Sequence, residues 1–527
     1  MASIEKTTVM RDSEQQGTRP QERSVSQFVV RGTIFRTMTF ALTALVGLLL
    51  MPFIVHSLGN RSYGMWALVG SILNYFSLFD LGISSAVERF VSRALGQEDI
   101  PAANTIISSA TFLFTGLGLA LITLVILTSV SIPFLIHDTH DGILLGQIIL
   151  IVGLGLGFTF PGRVFEGLFS AQLRQDVLST VWIIVLICRT LIIIMVLRLG
   201  WGLKGLALAT SISIVVRYVI LIALGRKSHP WLSISLHLCR RHRIQELLGY
   251  GLVGFLNRIG DFLRFHLDNI VIGSFLGLTP ITLYTIPVKL LEYFTNFMLS
   301  AVGFVAPVFS RYEGLGESKA LKNRFLDITR VSTIAATFVG SSLLFYGKPF
   351  ITRWMGEAYT SSYDVLLMLG VPAIFSLMSN PSISLLYGIS KHHYYTIANI
   401  LEGFTNLSLS LLLVRQYGIY GVALGTAIPM IIFKLGIQPI YTCRSIKLDL
   451  RRYYRILFFT TLKSFLPIMV YYMAIQRLLG PTFISMFPIW IGQTILFLPI
   501  AWRYILRPRD RRTIKSALSP DRTVRCS

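Results

Sequence analysis

An all-α polytopic membrane protein of about fourteen transmembrane helices is the fold class that this sequence predicts, and three observations predict it. Of its 527 residues, 53% are hydrophobic and only 14% charged, roughly half the charge that a water-facing surface carries. The apolar residues fall in runs of about twenty or more, the length a helix needs to cross a bilayer. The loops between the runs are short, so none holds a soluble domain.

The first 27 residues are polar, with no apolar stretch close behind a basic start, so 1–27 reads as a disordered cytoplasmic tail and not as a signal peptide. Helices one to six (28–56, 62–92, 102–130, 143–170, 175–198, 203–225) make up an N-terminal lobe, 28–225. A basic interlobe linker, 226–245, follows. Helices seven to twelve (246–276, 281–309, 326–348, 363–388, 393–414, 419–441) make up a second lobe, 246–441. Helices thirteen and fourteen (453–476, 482–505) are an appended pair within 442–505, and 506–527 is a basic cytoplasmic tail. Tyr63, Trp66, Trp201, Trp354, Trp490 and Trp502 near span ends are interface anchors.

The net charge of +23 is distributed unevenly. Arg226, Lys227, Arg240, Arg241 and Arg243 share a side with Arg311, Lys319, Lys322 and Arg324, with Arg444, Lys447, Arg451 and Arg452, and with both tails, whereas 131–142 and 277–280 carry no lysine or arginine. The positive-inside rule therefore places both termini in the cytoplasm. In a polar chain the same excess would point to nucleic acid. Here it is spent on loops and helices, and no nucleic-acid partner is expected.

Two sequence matches indicate duplication. Leu58-Gly59, followed by Tyr75-Phe76, recurs as Leu276-Gly277 followed by Tyr293-Phe294, a displacement of 218 (59 to 277). GLKGLALATSI at 202–212 recurs as GIYGVALGTAI at 418–428, a displacement of 216 (202 to 418). Six helices fit in that interval, an even number, so the two halves share one orientation and a pseudo-twofold along the membrane normal relates them.

Cys188, Cys239, Cys443 and Cys526 form no CxxC and have no metal-ligand spacing, and the histidines add none, so neither a metal nor a cofactor is expected. No GxxxxGK[ST] is present, which excludes a phosphate-cradling loop for ATP.

Pro52–Ser92, with Leu58-Gly59, Tyr63-Gly64 and Asp80-Leu81-Gly82 leading to Arg89, resembles the opening signature of bacterial oligosaccharide flippases of the O-antigen and polysaccharide-export type. These belong to the multidrug/oligosaccharidyl-lipid/polysaccharide exporter superfamily. Leu267–Gly277 with Tyr284 repeats the pattern, and Gly167–Asp176 resembles the turn between the fourth and fifth helices. The resemblance spans roughly 50–440. It implies an undecaprenyl-pyrophosphate-linked oligosaccharide carried from the cytoplasmic to the periplasmic leaflet of the bacterial inner membrane by alternating access. The substrate and the membrane lipids are then the immediate partners, with a polysaccharide polymerase and chain-length proteins as pathway partners.

The charges inside the helices point the same way. An ionisable group at membrane depth costs ~2.5–3.5 kcal/mol on the milder insertion scales, so it should face a wet interior or a partner. Arg36, Arg163, Arg189, Arg217, Arg258 and Arg264 are the candidate substrate contacts of a cationic central cavity, because a planar guanidinium binds phosphate oxygens in pairs. Arg189 and Arg217 have no acid at i±3 or i±4 and are expected to face the cavity unpaired. Arg163 and Glu166, three apart after the kink signal Pro161-Gly162, are either a diphosphate contact or an intrahelical pair. In helix seven Asn257, Asp261, Arg264 and Asp268 lie along one face, either as a ladder of pairs, Arg258–Asp261 and Arg264–Asp268, or as a substrate or ion site. Asp80, Asp261, Asp268 and Glu402 are the candidates to bind a coupling proton or sodium ion, Asp80 also reading as structural. Lys289 and Glu292 read as a pair.

Two other classes compete. A multidrug or organic-solute exporter of the same superfamily would want the opposite sign of charge inside. A membrane glycan polymerase or ligase would carry its catalytic residues in a sizeable external loop, and every loop here is short.

Overall fold

The computed structural model describes the backbone of residues 20–135, 138–265, 267–302, 305–391, 393–478, 485–508 and 511, and their side chains except 20–34, 135, 253–254, 256–258, 261, 264–265, 300–302, 307 and 478. Among the described residues every regular element is helical. The helices are α1 (20–58), α2 (60–96), α3 (Ile100–Leu135), α4 (Thr139–Ala171), α5 (Gln175–Arg198), α6 (Gly202–Ser228), α7 (Arg241–Phe265 and Asp268–Leu276), α8 (Thr279–Val302 and Ala306–Gly314), α9 (Ser318–Met355), α10 (Ser362–Gly388), α11 (393–417), α12 (419–445), α13 (Leu450–Ile475) and α14 (486–505). Nine continuous segments are long and apolar enough to cross a membrane. Two of them, of 62 and 53 residues, bend at Gly59 and Gly418 and so cross twice. With α7, α8 and α14 the helices number fourteen among the described residues.

The N-terminal tail differs from expectation. Residues 1–19 lie outside the described residues, but the backbone is already helical from Pro20. Once a membrane helix exists, each further turn adds hydrogen bonds without a new nucleation cost, so α1 extends into polar sequence.

The chain folds into two compact units, one joining the residues up to Leu58 with Leu73–Phe255, the other joining Gly59–Ile72 with the residues from Leu256 onward. The start of α2 is held inside the second unit. Thr282 Oγ1 donates to the Asn60 carbonyl at 2.7 Å, Asn269 Nδ2 donates to Ser71 Oγ at 3.0 Å, and the Tyr359 hydroxyl donates to Asn60 Oδ1. The break that allows this is Gly59, at φ 77° and ψ 164°, a backbone region open to glycine almost alone.

Both sequence repeats share backbone geometry. Gly277 adopts φ 88° and ψ −173°, the region of Gly59, and Gly202 (φ 56°) matches Gly418 (φ 58°). Small residues set the packing, since lipid provides no hydrophobic drive between helices. In the first unit Ser211 Oγ donates to the Ile151 carbonyl at 2.8 Å and a Cβ on Gly155 would collide with Ser211; in the second a Cβ on Gly425 would collide with Ser410. The segment after α6 is pinned to the start of α3: Asn104 Nδ2 donates to the Trp231 carbonyl at 3.1 Å, and the Arg240 amide donates to Ser109 Oγ at 3.0 Å. Helices α13 and α14 pack on α9 through Ile334, Ile468, Phe497 and Ala501, with Phe338 stacked on Phe497 at 4.6 Å.

Candidate functional site

In the N-terminal unit, α4 breaks at a 3₁₀ turn, Phe160–Gly162, with Pro161 at its start. A Cβ on Gly162 would lie 2.9 Å from Tyr218 Cβ, so the missing side chain lets α6 approach the turn. One helical turn on, Glu166 accepts from Arg217 Nη2 at 2.7 Å and from the Tyr218 hydroxyl at 2.9 Å. Arg217 also lies over the Trp182 ring at 4.7 Å, and Trp182 Nε1 donates to Thr43 Oγ1 of α1 at 3.1 Å. Arg217 is thus paired, contrary to expectation, because its acid comes from a neighbouring helix and not from its own i±3 or i±4 positions.

Arg163 and Glu166 do not pair with each other. Arg163 Nη1 lies 3.7 Å from Asp80 Oδ1 and its guanidinium stacks 4.3 Å from the Phe160 ring. Asp80 ends a 3₁₀ turn in α2, is 2% exposed, and accepts from Ser84 Oγ at 2.7 Å. Both acids of this cluster are therefore committed to arginine. Arg189, on α5, has neither hydrogen-bond nor ion-pair partner among the described residues, and its Nε is buried. With Arg217, Trp182, Leu186 and Ser213 it lines a cavity of about 60 Å³ between α5 and α6.

In the second unit the arrangement is reversed. Asp268 opens a helical segment of α7 and is 7% exposed. Its Oδ2 accepts from the Tyr284 hydroxyl at 2.5 Å and from Thr426 Oγ1 at 3.1 Å, while Oδ1 is buried without a hydrogen-bond partner. The Thr426 hydroxyl also lies 3.4 Å from Asn406 Oδ1, to which Ser410 Oγ donates at 3.2 Å. Two hydroxyls thus hold a carboxylate that no cation neutralises among the described residues, and behind Thr426 stand Asn406 and Ser410. Such oxygens can hold a proton or a small hard cation.

Glu402 on α11 is neutralised by Lys434 of α12, with Oε2 and Nζ 3.1 Å apart and the two side chains 1% and 3% exposed. Lys434 sits on a π-turn, Ile432–Ile437, and over the Tyr395 ring at 5.1 Å. Lys289 and Glu292 pair at 2.7 Å as their spacing predicts, and Arg330 pairs with Asp327 at 3.4 Å.

Arg36 lies exposed on α1. The side chains of Asn257, Arg258, Asp261 and Arg264 lie outside the described residues. Sequence reasoning offered Glu166 as a partner of Arg163 and not of Arg217, and it missed Tyr284 and Thr426 as partners of Asp268, though Thr426 sits inside the repeated GIYGVALGTAI. Among the described residues no group of three or more His, Cys, Asp or Glu could hold a metal ion, and Cys188, Cys239 and Cys443 are free thiols.

Residues 54–364 match the model of a family described as "Polysaccharide biosynthesis protein". The membrane protein EpsK of Bacillus subtilis is 23% identical over 77% of this chain and 81% of its own length. A protein of Shigella flexneri named as an O-antigen transporter is 21% identical over 79% of this chain and 98% of its own length. Among solved structures, the lipid II flippase MurJ in an inward closed conformation superposes with a TM-score of 0.65 at 17% identity, covering 90% of this chain and 100% of that one. An inward-facing multidrug resistance MATE transporter superposes at 0.66 with 14% identity, covering 80% and 99%. The helical fold is thus that of these solved transporters, and the chain belongs to the family described as "Polysaccharide biosynthesis protein".

Proposed function

We propose that this protein is a flippase that carries an undecaprenyl-pyrophosphate-linked oligosaccharide from the cytoplasmic to the periplasmic leaflet of a bacterial inner membrane by alternating access, for surface polysaccharide export. The family and the relative named as an O-antigen transporter support a glycan cargo. One structural observation carries the reading: among the described residues the cluster in the first unit holds Arg163, Arg189 and Arg217 against Asp80 and Glu166, a surplus of guanidinium on apolar helices. An uncompensated charge there is costly, and a cargo with a diphosphate is what would offset it.

In this scheme both termini are cytoplasmic, in line with the basic loops. Asp268 takes up the proton or sodium ion that resets the carrier, because its carboxylate is held by hydroxyls alone among the described residues. Glu402, already matched by Lys434, serves structure instead.

The test is flipping of undecaprenyl-pyrophosphate-linked oligosaccharide by the purified chain in proteoliposomes, read by exposure of the glycan to a non-permeant lectin. Flipping above protein-free vesicles is expected. No flipping, with efflux of an organic cation by the same vesicles, would replace this reading with that of a multidrug exporter.

A further inference from the structure

We propose that a cleft between α11 and α12 is the seat for one acyl chain of an anionic phospholipid of the surrounding bilayer, whose headgroup rests on Lys391, Arg444 and Lys447. The seat is independent of the flippase reading. Neither Asp268 nor the arginine cluster of the first unit takes part in it.

The walls come from two helices at helical spacing. Tyr394, Ile397 and Leu401 of α11 and Phe433, Ile437 and Tyr441 of α12 line a cleft of about 250 Å³. Tyr394, Ile397, Leu401 and Ile437 are exposed, and the exposed apolar side chains continue along the same helices as Phe404, Ile428, Ile431 and Ile432. On helices that cross a membrane such a surface is covered by lipid. The cleft opens on that surface, so its volume sets no bound on the length of chain that enters.

Two differences from the duplicated half make the cleft. At the repeat displacement of 216, Ala398, which lines it, stands where the first half has Trp182 (182 to 398). The backbone of α12 opens into the π-turn Ile432–Ile437, whereas the matching residues 216–221 of α6 are regular α-helix. Carbonyls of the turn are taken up by neighbours: Ser379 Oγ of α10 donates to the Lys434 carbonyl at 3.1 Å, and the Tyr454 hydroxyl of α13 donates to the Leu435 carbonyl. Side chains of α10 and α13 thus hold the turn in place.

Chemistry selects the occupant. On the floor Lys434 is matched by Glu402 at 3.1 Å, and Gln438 Nε2 is spent on the Ser379 carbonyl at 3.0 Å. Among the described residues no other charged side chain lines the cleft, so its occupant is apolar. The charge stands at the mouth. The Tyr441 hydroxyl donates to the Lys391 carbonyl at 3.0 Å and Lys391 Nζ donates to the Ser445 carbonyl at 3.3 Å, which sets Lys391 beside Arg444 and Lys447, all three exposed. The one acid of that segment, Asp449, caps the Arg451 amide at 3.0 Å. A basic mouth on an apolar cleft fits an anionic headgroup with its chain inside. Phospholipids outnumber any polyprenyl carrier in a bilayer, so mass action gives them the cleft.

The test uses the full chain in phosphatidylcholine nanodiscs doped with phosphatidylglycerol that carries a diazirine on one acyl chain. After irradiation the labelled peptides should be 394–401 and 433–441, and unlabelled phosphatidylglycerol should compete where added phosphatidylcholine does not. Ala398→Trp, which restores the residue of the other half, should abolish that labelling. The exposed pair Arg444→Gln with Lys447→Gln leaves the walls of the cleft as they are and should lower it about tenfold or more, at roughly fivefold per charge. Labelling spread evenly along the exposed face of α11, Phe404 and Leu412 included, is ordinary annular contact and overturns the seat, as does unchanged labelling in folded Ala398→Trp. Equal labelling by a phosphatidylcholine probe, or none of the expected loss in Arg444→Gln with Lys447→Gln, overturns the choice of an anionic lipid and the proposal with it. Displacement by undecaprenyl phosphate and not by phosphatidylglycerol gives the cleft to a carrier lipid and overturns it too. No arm involves a glycan or its movement, so the seat and the flippase reading stand or fall separately.

Discussion

The two units use one duplicated scaffold for opposite electrostatics. In the first, every described acid of the α4 cluster is paired with an arginine and a guanidinium is left over; in the second, a carboxylate is left over among hydroxyls. The repeat displacement of 216 shows that this is not inherited symmetry. It sets Thr405 and Phe433 against Arg189 and Arg217, and Leu186 and Tyr218 against Glu402 and Lys434. The glycines that set the breaks, by contrast, recur with their positive φ, Gly59 with Gly277 and Gly202 with Gly418. Duplication preserved the bends and left the charges free to diverge, because a left-handed turn constrains one residue type while an interior charge needs only a partner or a ligand.

The largest expected effect concerns the buried pair of the second unit. Glu402→Ala leaves Lys434 charged and 3% exposed, and should cost about 3–5 kcal/mol of stability. The double change Glu402→Leu with Lys434→Met should recover most of that loss, as apolar replacements of buried pairs do. Unfolding midpoints of both variants in detergent measure it. A single change that costs no more than the double would show that the pair is neutralised by water, and the contrast with the more exposed Glu166–Arg217 pair would vanish.

Next in size is the split between driving forces. Asp268→Asn keeps the hydrogen bonds from Tyr284 and Thr426 but cannot exchange a proton or balance a cation. Flipping driven by a proton or sodium gradient should fall at least about tenfold, while binding of undecaprenyl pyrophosphate to the purified chain should be unchanged. Equal loss of both would show that the second unit's acid serves the fold, and that the two units are not chemically specialised.

The smallest effect tests the shared scaffold. A Cβ on Gly59 or Gly277 meets nothing within 4 Å, so alanine there reports backbone strain alone. Gly59→Ala and Gly277→Ala should each cost about 1–3 kcal/mol and by similar amounts, measured by the same unfolding titration. A cost at only one of them would mean that the two breaks are unrelated.

Several features of the site were legible one residue at a time. Pairs within a helix follow from spacing, and Lys289–Glu292 shows this at 2.7 Å. Arg217 failed the same reasoning because Glu166 is 51 residues away, on another helix. Asp80 and Arg163, or Glu402 and Lys434, likewise meet only when their helices pack. A carboxylate surrounded by hydroxyls, as at Asp268, has no sequence signature, since serine, threonine and tyrosine are common in membrane helices for other reasons.

By itself the sequence determined that the chain spans a membrane, roughly where its crossings lie, where its glycine breaks fall, and which charges enter the apolar interior. Those properties are local: they depend on run length, hydrophobicity and the torsions open to a single residue. Tertiary structure alone decided which charges cancel and which remain. The energy of an interior charge depends on what stands within a few ångströms of it, and in a helical membrane protein those neighbours come from other helices, brought close by positions as small as Gly162 and Gly425.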